Sequence, residues 1–227
     1  MYSLYDIVIW IGTGVIFVSF TVALRISKNK NIPVYLKQFY LYPLLSLLFS
    51  INTIASTYLH LYSFSLQFAM QNIMEIIDFA FWGIFFLHLM KKTDSLKYIR
   101  VIFLFFLLII VAWLFRNNFY KPMFQIFTLG NFGRSIFCIF YFNNLFKDTP
   151  KLNLKNEPLF WIITGLFFCS SITLPQYAIN DYLHNHINRI ISKNIFSSTN
   201  IAIIIMHILF IKAYLCTVRQ KKLSSYL

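Results

Sequence analysis

Apolar residues in this chain run in long unbroken stretches, separated by short polar ones. The stretch 101–113, Val-Ile-Phe-Leu-Phe-Phe-Leu-Leu-Ile-Ile-Val-Ala-Trp, shows no alternation of polar and apolar positions. A transmembrane barrel is built from short alternating segments, so that architecture does not fit. A helix crosses the hydrocarbon core with about 20 apolar residues, and it satisfies its own backbone groups where no water is present. The pattern predicts about seven such spans, near residues 4–24, 38–61, 66–90, 98–115, 122–146, 158–178 and 197–218. Pro43 marks an expected kink near the start of the second span, and Pro175 lies near the end of the sixth. The fold class is therefore all-α, a polytopic membrane bundle forming one domain, with no repeat and no loop able to hold a soluble catalytic domain. The longest connection, 180–194, places Tyr182, Leu183, Ile187, Ile190 and Ile191 at helical spacing. It reads as an amphipathic helix lying in the interface.

Composition agrees with the pattern. Of 227 residues 59% are hydrophobic and only 12% charged, against about a quarter charged in a soluble domain. The net charge of +13 is accounted for by topology. Arg25, Lys28, Lys30 and Lys37 follow the first span, and Lys91, Lys92, Lys97 and Arg100 follow the third. Lys147, Lys151 and Lys155 follow the fifth, and Arg219, Lys221 and Lys222 the seventh. The opposite side carries Arg116, Lys121, Arg189 and Lys193. Basic loops stay in the cytoplasm, which predicts the N-terminus outside and the C-terminus inside. No basic face is left over for nucleic acid. The opening segment lacks the basic start and small-residue cleavage site of a signal peptide, so it is read as a retained span. The Phe/Ile/Asn/Lys-rich composition and the absence of any Asn-x-Ser/Thr sequon lean towards a bacterial inner membrane.

The informative residues are polar ones inside the spans. An ionised side chain at mid-membrane costs about 2.5–3.5 kcal/mol on insertion scales, so its presence demands a partner. Gln71, Glu75, Asp78 and Trp82 in the third span are spaced 4, 3 and 4 and form one stripe. The fifth span carries Arg134, with Asn131 and Cys138 on the same side. Both spans run in the same direction, and Asp78 and Arg134 each lie about 12 residues, or about 18 Å, below the start of their spans. If the helices are neighbours, Arg134 pairs with Asp78 or Glu75. Two carboxylates against one guanidinium leave one negative charge over, or one protonated acid. Ser46, Ser50, Thr53, Thr57 and His60 form a stripe in the second span, and Asn200, His207 and Tyr214 recur at heptad spacing in the seventh. Thr164, Ser170, Ser171 and Thr173 lie in the sixth. Such groups also serve as glue between membrane helices without any ligand. Gln71, Glu75, Asp78, Asn131, Arg134 and His207 are the candidate ligand-binding or switch residues.

Other chemistry is absent. No hydrolase, P-loop or dinucleotide fingerprint occurs, and no cofactor is implied. Cys138, Cys169 and Cys216 have no metal-type spacing and read as buried apolar residues. His184 and His186 fall short of a metal ligand set. Lys212, near the end of the last span, lacks the acidic residue one turn earlier that a retinal protein would carry. It is expected to snorkel towards the interface.

Three motifs in the second half carry a resemblance. They are Asn131-Phe-Gly-Arg134-Ser-Ile, Pro158-Leu-Phe-Trp161-Ile-Ile-Thr-Gly165 and Ile208-Leu-Phe-Ile-Lys-Ala-Tyr-Leu-Cys216. Over roughly residues 120–220 the chain resembles a group of small seven-helix membrane proteins of Bacteroidota, often encoded beside histidine kinases. The resemblance implies a membrane sensor or accessory component of a signalling pathway, with a histidine kinase or other membrane protein as partner. It transfers no functional residue. The polar interior implies a small-molecule or lipid ligand. A small transporter or ion-conducting protein using the intramembrane carboxylates is the alternative, and a ligand-free scaffold is a third reading.

Overall fold

The computed structural model describes residues 4–28, 34–58, 63–91, 93–117, 120–121, 123–148, 154–179 and 189–224. Every α-helix or strand element among them is helical. They are α1 (Leu4–Ser27), α2 (Val34–Gln38), α3 (Leu41–Thr57), α4 (Phe64–Leu89), α5 (Leu96–Arg116), α6 (Phe124–Asp148), α7 (Pro158–Ala178) and α8 (Arg189–Ser224), with one 3-10 turn at Leu154–Asn156. Among the described residues six segments are long and apolar enough to cross a membrane: Tyr5–Ser27, Tyr35–Thr57, Ser65–Leu89, Leu96–Arg116, Pro158–Ala178 and Ser197–Val218. The chain is thus an all-α multi-pass membrane protein.

Three elements differ from expectation in instructive ways. The second span starts at Tyr35 and is interrupted after α2. Pro43 has no N–H to offer the carbonyl of Phe39. That carbonyl accepts instead from Tyr42 N–H at 3.1 Å, an i to i+3 bond that tightens the chain before α3. The seventh long helix, α6, has ample length at 25 residues but is not among the six apolar segments. Gln125, Asn131, Arg134, Asn143, Asn144 and Lys147 dilute its hydropathy. It stays in the bundle because it packs against α4, α5 and α7. The last helix, α8, extends to 36 residues, about 54 Å, well beyond a hydrocarbon core of about 30 Å. No proline or glycine interrupts it, and basic residues occur near both ends. Residues 180–188 of the expected interfacial helix lie outside the described residues, as do His184 and His186.

Helix neighbours define the architecture. α1 packs on α3 and α8, α8 on α7, α7 on α6, α6 on α4, and α4 on α3. Those contacts close a ring of six helices. α5 stands outside it, touching α4 and α6, and exposes Val101, Leu108 and Phe115, the last at 85%. Such faces suit lipid. Small residues let ring helices approach closely: Gly12 meets Ile204, and Gly165 comes within 3.2 Å of the Met206 carbonyl where a Cβ would sit.

The half of the ring towards the start of α3 is filled by aromatic rings. Phe39 lies 5.2 Å from Phe210 and 5.8 Å from Trp82, and Tyr42 lies 4.7 Å from Trp82 (centroid distances). Phe39, Trp82, Phe210 and Tyr214 are fully buried. Edge-to-face and tilted geometries of this kind suit the aromatic quadrupole. Lipid is as apolar as this interior, so the stabilisation comes from packing and not from leaving water.

Phe39→Ala should lower the melting temperature in detergent clearly more than Phe115→Ala. A buried Phe→Ala costs about 3–5 kcal/mol in soluble cores, of which only the packing part applies here. Equal melting temperatures for the two variants would contradict the aromatic seal.

Candidate functional site

Arg134 on α6 reaches both acids of α4. Its Nη2 donates to Glu75 Oε1 at 2.7 Å, and its Nη1 donates to Asp78 Oδ2. The side chains of Arg134 and Glu75 are only 5% and 8% exposed, whereas that of Asp78 is 28% exposed. The i, i+3 spacing puts both carboxylates on one face of α4, and the guanidinium fork spans them. One carboxylate is nearly buried between the helices and the other is partly exposed.

Glycines on α6 make the approach possible. A Cβ at Gly130 would collide with Glu75 Oε1, and one at Gly133 would come within 2.6 Å of the Phe79 ring. Glu75 and Phe79, one turn apart on α4, thus press into a notch on α6. Glycines within a membrane helix can also mark the broken helices of a transporter. α6 runs without interruption through both, and α7 runs through Pro175. The glycines serve close packing.

Above the aromatic cluster the ring encloses a cavity of ≈ 400 Å³. It is lined by the first halves of α1, α4, α6 and α8, by α3, and by the second half of α7. That alternation belongs to an up-and-down bundle and puts the cavity towards one end of the ring. Thr13 and Ser50 hydroxyls meet across α1 and α3 at 2.5 Å. Asn131 donates from Nδ2 to the Phe127 carbonyl at 2.8 Å and accepts from Thr173 Oγ1 at 2.9 Å. At the rim, Gln176 Nε2 donates to Ser198 Oγ at 2.5 Å, and Thr199 Oγ1 donates to Gln176 Oε1.

The sequence-derived candidates separate into two groups. Gln71, Glu75, Asp78, Asn131 and Arg134 line the cavity together with Ser46, Ser50, Thr53, Ser170, Thr173 and Asn200. His207 does not line it. Fully buried, it lies 5.3 Å from the Phe210 ring and 6.2 Å from that of Tyr42, and its ring nitrogens have no partner among the described residues. Tyr214 and Trp82 continue their stripes into the same aromatic cluster. Ser171 faces outward, and His60 lies outside the described residues. Thr13 of α1 and Tyr177 of α7 also line the cavity and were not anticipated. Thr13 is one hydroxyl in an apolar span, and the only available signal was its place between Gly12 and Gly14. At the opposite end Lys212 does not simply extend outward, because its Nζ sits 3.4 Å from the Trp161 ring centroid. Trp161 in turn donates its Nε1–H to the Lys155 carbonyl at 3.0 Å. No cluster of three metal-ligating side chains occurs among the described residues.

Fold and site together define a multi-pass helical membrane protein with a cavity walled in part by an Arg–Glu–Asp group. Comparison with known families, curated proteins and solved structures finds no match.

Arg134→Met leaves two carboxylates against each other and should destabilise the protein by about 3–5 kcal/mol, the cost of breaking a buried ion pair. Adding Glu75→Gln and Asp78→Asn should restore most of that stability. Thermal melts of the single and triple variants check this, and an unrescued triple variant would refute the pairing energetics. Gly130→Ala should behave like a partial Arg134 lesion, because its methyl group displaces the pinned Glu75 carboxylate.

Proposed function

We propose that this chain is a sensor or signalling accessory of a bacterial inner membrane, with seven spans, its N-terminus outside and its C-terminus in the cytoplasm. The observation that carries the reading is the cavity of ≈ 400 Å³, bordered by Asp78 and closed below by the aromatic cluster. A volume near the lower end of the roughly 300–1,000 Å³ typical of small-molecule sites suits a small ligand or a lipid headgroup. In the proposed orientation it lies towards the outer side of the membrane. Arg134 shared between two carboxylates has alternative pairings, and a ligand that engages one acid shifts the balance between them. A differential interaction of that kind is what couples binding to a change elsewhere. α4 and α6 would carry the shift to the basic cytoplasmic loops, where a partner such as a histidine kinase reads it. No enzymatic step is part of this reading.

A carrier is the second reading, favoured by the 28% exposure of Asp78, since intramembrane carboxylates mark ion pathways. The aromatic cluster argues against it by sealing the far half of the ring. Two measurements separate the readings. In cells, Asp78→Asn should alter phosphorylation of a histidine kinase encoded beside this protein. In proteoliposomes, the purified chain should pass no protons or cations. Flux that Asp78→Asn abolishes, with an unaffected kinase, would replace sensing by transport.

A further inference from the structure

We infer that the cavity takes a small organic cation, with its ammonium on the Asp78 carboxylate and its apolar body against the aromatic wall. The inference rests on the proposal that this cavity is a binding site, and it supplies the ligand's chemical class.

Charge comes first. Among the lining residues the charged side chains are Glu75, Asp78 and Arg134, so with both acids ionised the wall carries one negative charge in excess, and a bound cation favours that state over a protonated acid. A negative charge in a low-dielectric site is costly unless met by a positive one. An anionic ligand would add to it, and a neutral ligand would leave it unmet. The two acids are not equivalent. Glu75 is nearly buried, at 8% exposed, and its Oε1 fills the place of the missing Cβ of Gly130. Asp78 borders the space, and Arg134 engages only its Oδ2. An ionised carboxylate has about four acceptor positions, so Oδ1 is available to a donor from the cavity.

A second observation, from another helix, points the same way. Ser170 of α7 lines the cavity, is 1% exposed, and its hydroxyl has no partner among the described residues. A buried hydroxyl without a partner costs stability, and a ligand donor or acceptor would satisfy it. The rest of the wall is suited to a cation with an apolar body. Tyr177 stacks with Phe127 at 5.0 Å and with Phe124 at 6.5 Å, and Tyr5, Tyr42 and Phe49 also line the space. Aromatic faces attract cations. A bare metal ion fits poorly. Calcium and magnesium take six or more oxygen ligands, and here one carboxylate is buried and both are held by a guanidinium.

An ammonium group is carried by free organic amines and by phosphatidylethanolamine alike, and the experiment distinguishes them. The purified full-length chain is titrated in detergent with 2-phenylethylammonium, neutral 2-phenylethanol and anionic phenylacetate, with binding read by calorimetry and melting temperature. The ammonium should bind about tenfold or more tightly than the alcohol, as expected for a hydrogen bond to a charged group, and phenylacetate should not bind. Asp78→Asn should abolish that preference, and Ser171→Ala, on the outer face of α7, should preserve it. The wild-type series stands even if the Asp78 variant fails to fold. Equal binding of the three probes, no binding of the ammonium, or a preference surviving in Asp78→Asn would each overturn the inference. The titration is repeated in nanodiscs of phosphatidylglycerol with and without phosphatidylethanolamine. Loss of amine binding only where phosphatidylethanolamine is present assigns the ammonium to the lipid, and equal binding in both assigns it to a free amine. Ammonium binding without any change in kinase phosphorylation would remove the sensor reading and leave this inference standing.

Discussion

A guanidinium inside a membrane has to be met by negative charge, and the rest of this structure follows from how Arg134 is met. Two carboxylates one turn apart on α4 engage it. To bring them within reach, α6 must press against α4, and side chains larger than glycine at 130 and 133 would hold the helices apart. The ion group and the glycine notch are thus one device. The ions supply directional attraction, and the notch supplies the distance at which it acts. Lipid offers no hydrophobic drive to assemble helices, so a directional interaction of this kind has unusual weight in choosing which helices become neighbours.

The same interaction sets the boundary between two unlike halves of the ring. On one side of it, Phe39, Tyr42, Trp82 and Phe210 fill the space between helices ring against ring. On the other side, polar side chains are interspersed with the aromatic ones, and a cavity of ≈ 400 Å³ is left. The stripe on α4 crosses the boundary: Gln71, Glu75 and Asp78 face the cavity, and Trp82 belongs to the packed half. His207 falls on the packed side. There an imidazole among aromatic rings contributes shape and a flat face, and its nitrogens play no part in the cavity.

The arrangement also explains why α6 falls outside the six apolar spans. A helix that faces lipid over much of its surface must be apolar there, as α5 is with Val101, Leu108 and Phe115. α6 is flanked by α4, α5 and α7 and can carry Asn131, Arg134 and Asn144 into protein surroundings. Asn144 hydrogen-bonds with Ser95 at 2.9 Å, and Asn131 accepts from Thr173. Polar residues on one helix therefore tie it to several neighbours at different depths. Asp78 is the member of the ion group that this network leaves partly exposed, at 28%, and the proposed ligand contact rests on that.

Much of the fold was legible along the chain, because lipid imposes a length and an apolarity that any spanning helix must meet. Six spans, the helical class and the break near Pro43 follow from that constraint and from the missing proline N–H. The partnership of α4 and α6 was legible only in part. Matching depth made an Arg134 pair feasible, but adjacency depends on which helices close the ring, and that is decided by contacts hundreds of atoms wide. The role of Gly130 shows the limit. In sequence it is ambiguous between a helix break and a close approach, and only the position of Glu75 against α6 resolves it. For the same reason Thr13 and Ser170 became cavity residues and His207 did not. A side chain's face on its own helix is set by local periodicity, whereas what lies opposite that face is set by the packing of the others.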